Sequence, residues 1–313
     1  MISRPLTLRA SSGLYSEADM DQATRLRTII KQNQVAPAHA ARVITVTSGK
    51  GGVGKSNVSI NLAVQFKKMG QRVIIFDADF GLANIEVMFG TVPKNNLADL
   101  IYQGKSIREV ITWGPMEIGF ISGGSGIAGL TNLGNDYINY LVTQLADLDS
   151  ISDVIIIDTG AGISNAVIEF LVASGEILLV TTPEPTSITD SYSLLKALKR
   201  NPRFNGEASQ IKVISNKVSD LKEGEILYKK LNAVVQRYLH LDMSYLGAIP
   251  DDSELSKAVM QQSPVCISNM NAKSARAFDD ISKTLMDIPH EKPNFRSGMA
   301  GFFANMIRGR YTG

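Results

Sequence analysis

The string TSGKGGVGKSN, residues 47–57, constrains this chain more than any other stretch. It follows the β-rich run RVITVT and opens the amphipathic run KSNVSINLAVQFKKMG, which Gly70 stops. Strand, glycine loop and helix in that order form a cradle for phosphate. Gly49, Gly51, Gly52 and Gly54 let the backbone curl so that its N–H groups, with those of Val53 and Asn57, point at phosphate oxygens. The helix N-terminus adds its partial positive charge. In the pattern G-x-x-x-x-G-K-[ST], Lys55 neutralises the β- and γ-phosphates and the Ser56 hydroxyl is a Mg2+ ligand. Lys50 has no task in that pattern.

From Arg42 onward, apolar runs alternate with helical patterns. RVIIFDAD, IGFISGG, DVIIIDTG, EILLVTTPEP, IKVISNK and SYLGAIPDD are further strand candidates. Several are nearly continuous apolar runs, as in parallel strands covered on both faces. The pattern predicts an α/β fold, a doubly wound, mainly parallel sheet flanked by helices. With 313 residues, 44% of them hydrophobic, the chain can build one large domain. That domain is expected over residues 41–290. Residues 1–40 read as a flexible arm carrying a short helix at 21–33, with Ala23, Leu26 and Ile30 on one stripe. The string NQVAPAHA then reads as a linker, since Pro37 discourages helix. Residues 291–313 form a tail.

Three acids stand at expected strand ends. Asp77 and Asp79 leave one strand together, Asp77 near the metal shell and Asp79 placed to orient a water. Asp158 follows four apolar residues and suits a Mg2+ water shell opposite Ser56. The base should bind where later strands end. Asn216 offers a donor and an acceptor to adenine's edge. A guanine-reading N-K-x-D string fails, because Ser219 stands where the acid is needed and Asp220 comes one place late. Adenine, and hence ATP with Mg2+, is the expected ligand. Pro250 and Asp251 would close the other side of the base, or form a plain strand–helix turn.

Composition removes other classes. The 32 basic and 30 acidic residues leave a formal charge of +2, too small for a nucleic-acid footprint by itself. Cys266, the single cysteine, cannot form an intrachain disulfide or one chain's multi-cysteine cluster, and fits a reducing cytoplasm. No apolar run approaches the roughly 20 residues of a membrane span. The expectation is a cytoplasmic protein, or one attached to the membrane from the side.

With these residues in view, the chain resembles the MinD/ParA family of P-loop ATPases over residues 40–290. KGGVGKS is similar to that family's deviant Walker A loop, and Lys50 falls at its signature lysine. The resemblance implies an ATP-dependent homodimer, in which Lys55 serves its own nucleotide and Lys50 reaches the partner's phosphates. DADFGLANIEVMFG and TTPEPTSITDSYSLLKAL resemble the branch that regulates flagellar number and placement. DQATRLR resembles that branch's N-terminal motif, which implies that Asp21, Gln22 and Arg27 contact and stimulate an FlhF-like, signal-recognition-type GTPase. Flagellar switch (C-ring) proteins or a flagellar transcription regulator are further partners implied by the resemblance.

Met299, Phe302, Phe303, Met306 and Ile307 recur at helical spacing in the tail, with Arg296, Arg308 and Arg310 nearby. This resembles the family's amphipathic membrane-targeting helix, with Phe302, Phe303, Met306 and Ile307 entering an anionic lipid interface. The same face could dock on the protein's own surface, and both states can hold in turn. Two other readings share the catalytic core. A ParA-type DNA partition ATPase needs a basic surface, which the weak charge does not supply. Division-site placement by MinD proper is disfavoured by PEPTSITDSY and the N-terminal motif.

Overall fold

The computed structural model describes residues 40–79, 84–123, 143–287 and 298–308. Among them, eight strands form one sheet: β1 (Arg42–Thr47), β2 (Val73–Ala78), β3 (Thr112–Trp113), β4 (Gly119–Ser122), β5 (Val154–Thr159), β6 (Glu176–Thr181), β7 (Gln210–Val218) and β8 (Met243–Pro250). Their order across the sheet is β3-β4-β2-β5-β1-β6-β7-β8. Every pairing is parallel except that of β3 with β4. Each residue of β2, β5 and β6 is buried, as their continuous apolar runs require. β3 was not expected from sequence. Two residues are too few to show a period, and Trp113 on this edge is exposed.

Among the described residues, seven helices of eight or more residues flank the sheet: α1 (Lys55–Lys68), α2 (Asn165–Ala173), α3 (Pro185–Arg200), α4 (Leu221–Leu239), α5 (Ser253–Met260), α6 (Lys273–Asp287) and α7 (Gly298–Arg308). One core lies under α1 and α6, around Phe66, Ile75, Phe120 and Phe278. A second lies on the opposite face, around Phe76, Ile157 and Phe170. At the end of the sheet where β1 and β6 begin, Arg42 makes two bonds of 2.8 Å to Glu176, and Lys212 adds one of 2.7 Å. Burial alone would raise the Glu176 pKa, but Arg42 and Lys212 outweigh it and hold the carboxyl below its usual range. Removing either cation would leave a poorly compensated buried charge.

The tail helix α7 belongs to the second core. Met299, Phe302, Phe303 and Met306 are all buried there. Phe302 stacks on Phe170 at 6.0 Å, and Phe303 meets Phe76 edge-on at 6.1 Å. Asp149, on the helical turn Leu148–Ile151, accepts from the Met299 amide at 2.8 Å and so satisfies an N-terminal donor of α7. Arg203 donates to the Met306 carbonyl at the other end and pairs with Glu169. The apolar face read from sequence as a lipid contact is therefore covered by the domain itself. The Ile307 side chain lies outside the described residues, as do Asp21, Gln22 and Arg27.

Candidate active site

The loop between β1 and α1 sits at the carboxyl end of the sheet. Gly49 lies so close to α3 that a Cβ there would stand 2.2 Å from the Asp190 carbonyl carbon. Gly54 has φ of 92°, and a Cβ would come 2.4 Å from the Asn216 amide nitrogen. Neither position accepts a side chain. α2, α4 and α5 each begin with a side-chain cap, from Ser164, Asp220 and Asp252. α1 has neither a side-chain cap nor an acid in its first turn. Its first N–H groups remain available to an anion.

The two lysines of the loop go separate ways. Lys55 is buried, with its ammonium 3.8 Å from Asp158. Lys50 lies at the surface and donates to Glu184 at 2.6 Å and to Thr186 at 2.8 Å, where β6 leads into α3. That bond holds the Glu184 carboxyl below its usual range.

The carboxylates gather beside the loop. β2 and β5 are neighbours in a register that sets Asp77 opposite Asp158. Burial, then the charge of Asp158, pushes the Asp77 pKa from 3.8 to about 8. Burial also raises Asp158, against the pull of Lys55 and of hydrogen bonds from Ser56 and Ser59. Asp79 is half-buried, accepts from Asn84 at 3.3 Å and faces Gly160 just past β5. Asp158 Oδ2 and Asn57 Oδ1 are buried without a protein partner. Hard oxygen donors with a partnerless carboxylate oxygen beside a phosphate loop suit Mg2+, which prefers a few protein oxygens plus water and phosphate. Among the described residues no three His, Cys, Asp or Glu side chains form a complete metal cage. The ion would thus rely on Ser56, Asp77 and Asp158 together with the nucleotide.

Asn216 is where sequence reasoning was incomplete. Its amide donates to the Val53 carbonyl at 2.7 Å, so it braces the loop. Pro250 and Asp251 do lie beside it, since β8 pairs with β7 there and Asp251 donates to the Val218 carbonyl at 2.8 Å. Sequence reading missed Glu184 and Thr186 as the seat of Lys50, and considered Lys217 only in a guanine-reading string, not as a contact of the loop. No local signal marks them, because each contact joins segments more than 130 residues apart.

Comparison with known proteins agrees with this geometry. A ParA family model, described as "NUBPL iron-transfer P-loop NTPase", matches residues 39–286. The antiactivator FleN of Pseudomonas aeruginosa is 36% identical over 280 residues, covering 90% of this chain and 98% of FleN. The chain belongs to the MinD/ParA family of P-loop ATPases. The flagellum site-determining protein YlxH of Helicobacter pylori is 34% identical over 277 residues, 85% of this chain and 90% of YlxH. Within the MinD/ParA family the chain is therefore of the FlhG type. Among solved structures, MinD of Pyrococcus horikoshii complexed with Mg-ADP superposes with a TM-score of 0.61 at 22% identity, over 79% of this chain and 96% of that one. That likeness shows the MinD/ParA fold. The iron transfer named in the family model finds no cysteine set here: Cys266 is buried, and burial pushes its thiol up to about 12. Among the described residues no helix is long and apolar enough to cross a membrane.

Proposed function

We propose that this ATPase regulates the number and placement of bacterial flagella, through ATP-dependent homodimerisation, reversible membrane association and stimulation of an FlhF-like GTPase. The flagellar role rests on FleN and YlxH, whose names describe an antiactivator and a flagellum site-determining protein. The switch rests on one observation, the separation of the two loop lysines. Lys55 is buried within its own site, whereas Lys50 lies outside it on Glu184 and Thr186. By exchanging its surface partners Glu184 and Thr186 for phosphate, Lys50 would serve a second copy's nucleotide, as an arginine finger does elsewhere.

In this reading the loop amides and Lys55 bind the phosphates, and Ser56, Asp77 and Asp158 would hold Mg2+. When bound, the ion would supply charge neutralisation to the phosphate chain. Asp79 orients the attacking water, so that catalysis is positioning plus charge stabilisation. The second amide hydrogen of Asn216, with Pro250 and Asp251, meets adenine. Release of α7 from its core would present Phe302, Phe303, Met306 and Ile307 to anionic lipid, two tails per dimer acting as one bivalent anchor.

Stimulation of the GTPase tests the flagellar reading directly. The protein, and a peptide of residues 15–35, should each accelerate GTP hydrolysis by an FlhF-like enzyme, and Gln22→Ala should abolish the effect. A full-length protein without effect on the GTPase would overturn this part of the proposal.

A further inference from the structure

A third lysine reaches the phosphate loop. Near the end of β7 the pairing with β8 slips: Asn216 faces Ile249 and Val218 faces Pro250, leaving Lys217 with no opposite residue. Lys217 has φ of 56°, the left-handed region that a residue with a side chain adopts only against strain. In an unbroken strand Asn216 and Lys217 would point to opposite faces. The bulge cancels that alternation and turns both toward one loop. Asn216 Nδ2 donates to the Val53 carbonyl at 2.7 Å, and Lys217 Nζ to the Gly52 carbonyl at 2.8 Å.

These are successive carbonyls, and their orientation has a consequence across each peptide plane. In a trans peptide the C=O and the following N–H point in opposite directions. Pulling the Gly52 carbonyl toward β7 turns the Val53 N–H away from it. Pulling the Val53 carbonyl does the same to the Gly54 N–H. Two amides are thereby turned together away from β7, toward the side of the loop opposite the clamp. The Lys217 ammonium is spent on a backbone carbonyl, so it differs in task from both Lys50 and Lys55.

We propose that Lys217 is a positioning residue which, with Asn216, clamps the phosphate loop in its anion-binding form. The proposal rests on reading the loop as a phosphate cradle. A clamp on backbone amides strengthens the grip on the phosphate chain whatever base is attached. A lysine serving the base would act on nucleotide alone.

The test is competition against a fluorescent ATP analogue, in Mg2+, by ATP and by inorganic tripolyphosphate. Wild type, Lys217→Ala, Lys217→Gly and Lys217→Arg are compared in the full chain. Lys217→Ala should weaken ATP and tripolyphosphate by the same factor, roughly three- to tenfold for one exposed charge-assisted hydrogen bond. KM for ATP should rise by that factor while kcat at saturation stays within about twofold. Lys217→Gly relieves the backbone strain and removes the clamp, so it should fold as wild type does and bind as weakly as the Ala variant. Lys217→Arg should restore both affinities. Loss of ATP affinity with unchanged tripolyphosphate affinity would assign Lys217 to the base and overturn the clamp. Unchanged affinity for both in the Gly variant would overturn it as well. A wild-type chain that binds neither competitor would instead overturn the phosphate-cradle reading on which the clamp rests.

Discussion

The phosphate loop leaves its polar groups open, whereas the tail helix closes its apolar ones. Around the loop, Asp158 Oδ2 and Asn57 Oδ1 are buried without protein partners, and α1 begins uncapped. On α7, Met299, Phe302, Phe303 and Met306 are each less than 10% exposed. The difference lies in what the two kinds of group can specify. A buried oxygen selects its partner by charge and geometry, because leaving it unmade costs about 1–3 kcal/mol. An apolar face selects only against water. The domain's own core and a lipid interface satisfy it alike.

The largest expected effect is on the closed side of that comparison. Phe302→Ala should cost the docked helix about 3–5 kcal/mol, as in other buried Phe truncations. Hydrogen exchange of amides 298–308 should then accelerate by roughly two to three orders of magnitude or more, with α1 and β1 unaffected. Exchange unchanged by Phe302→Ala would mean that the aromatic cluster does not hold the tail. If the same face also meets lipid, replacing Phe302 and Phe303 by Glu should abolish sedimentation of the ATP-bound protein with anionic vesicles while sparing ATP turnover.

On the open side, Asp79→Ala should lower the hydrolysis rate by about 100-fold, the scale of a misplaced reacting group. ATP affinity should stay within about threefold. Single-turnover hydrolysis at the wild-type rate would remove Asp79 from the chemical step. The two lysines come next. Lys55→Ala should weaken ATP binding roughly 10- to 100-fold, since it deletes a charged phosphate donor and strands Asp158 in the interior. Lys50→Ala should leave titrated ATP affinity nearly unchanged. It should abolish ATP-dependent dimers on size-exclusion chromatography in the Asp79→Ala background. Dimers that persist would leave Lys50 without its proposed role.

The same carboxylates also set a pH dependence of stability. Asp77 moves from 3.8 to about 8 on folding, so between those values the folded state keeps a proton that the unfolded chain has released. Its contribution is full below pH 4 and is lost as the pH rises toward 8, at up to about 1.4 kcal/mol per pH unit. Nucleotide-free protein in a chelator should therefore melt at a lower temperature at pH 8 than at pH 6, and Asp77→Asn should flatten the slope. A slope of the opposite sign would show that Asp77 is ionised in the folded state.

Legibility in the sequence follows the same division. The long strands were readable because burial on both faces writes itself as continuous Val and Ile, as in VIIFDA and VIIIDT. The gathering of Gly49, Lys55, Ser56 and Asp158 at one loop was readable, because a glycine loop with Lys and Ser has fixed spacing and an acid ending a buried apolar run falls at the same edge of the sheet. The bond from the Asn216 amide to Val53 was not legible, because which neighbour claims an amide depends on a bulge that leaves no periodic mark. The hold of Lys217 on Gly52 was hidden for the same reason. The tail's helical period was legible and its docking was not, since Phe76 and Phe170 look from sequence like any other core positions.

The strand order has a further consequence for how the chain comes off the ribosome. β1 lies in the middle of the sheet, yet neither of its neighbours is close in sequence: Arg42 pairs with Val154, and Thr45 with Ile177. At synthesis rates of about 5–20 residues per second, β1 waits on the order of ten seconds for either edge to be covered. During that interval the six residues of β1 have no partner for either edge, and the glycine loop beside them has nothing yet to brace it. Lys217 and Asn216 emerge later still. The phosphate site is thus among the last parts of the molecule to be completed, although its loop is among the first to be made.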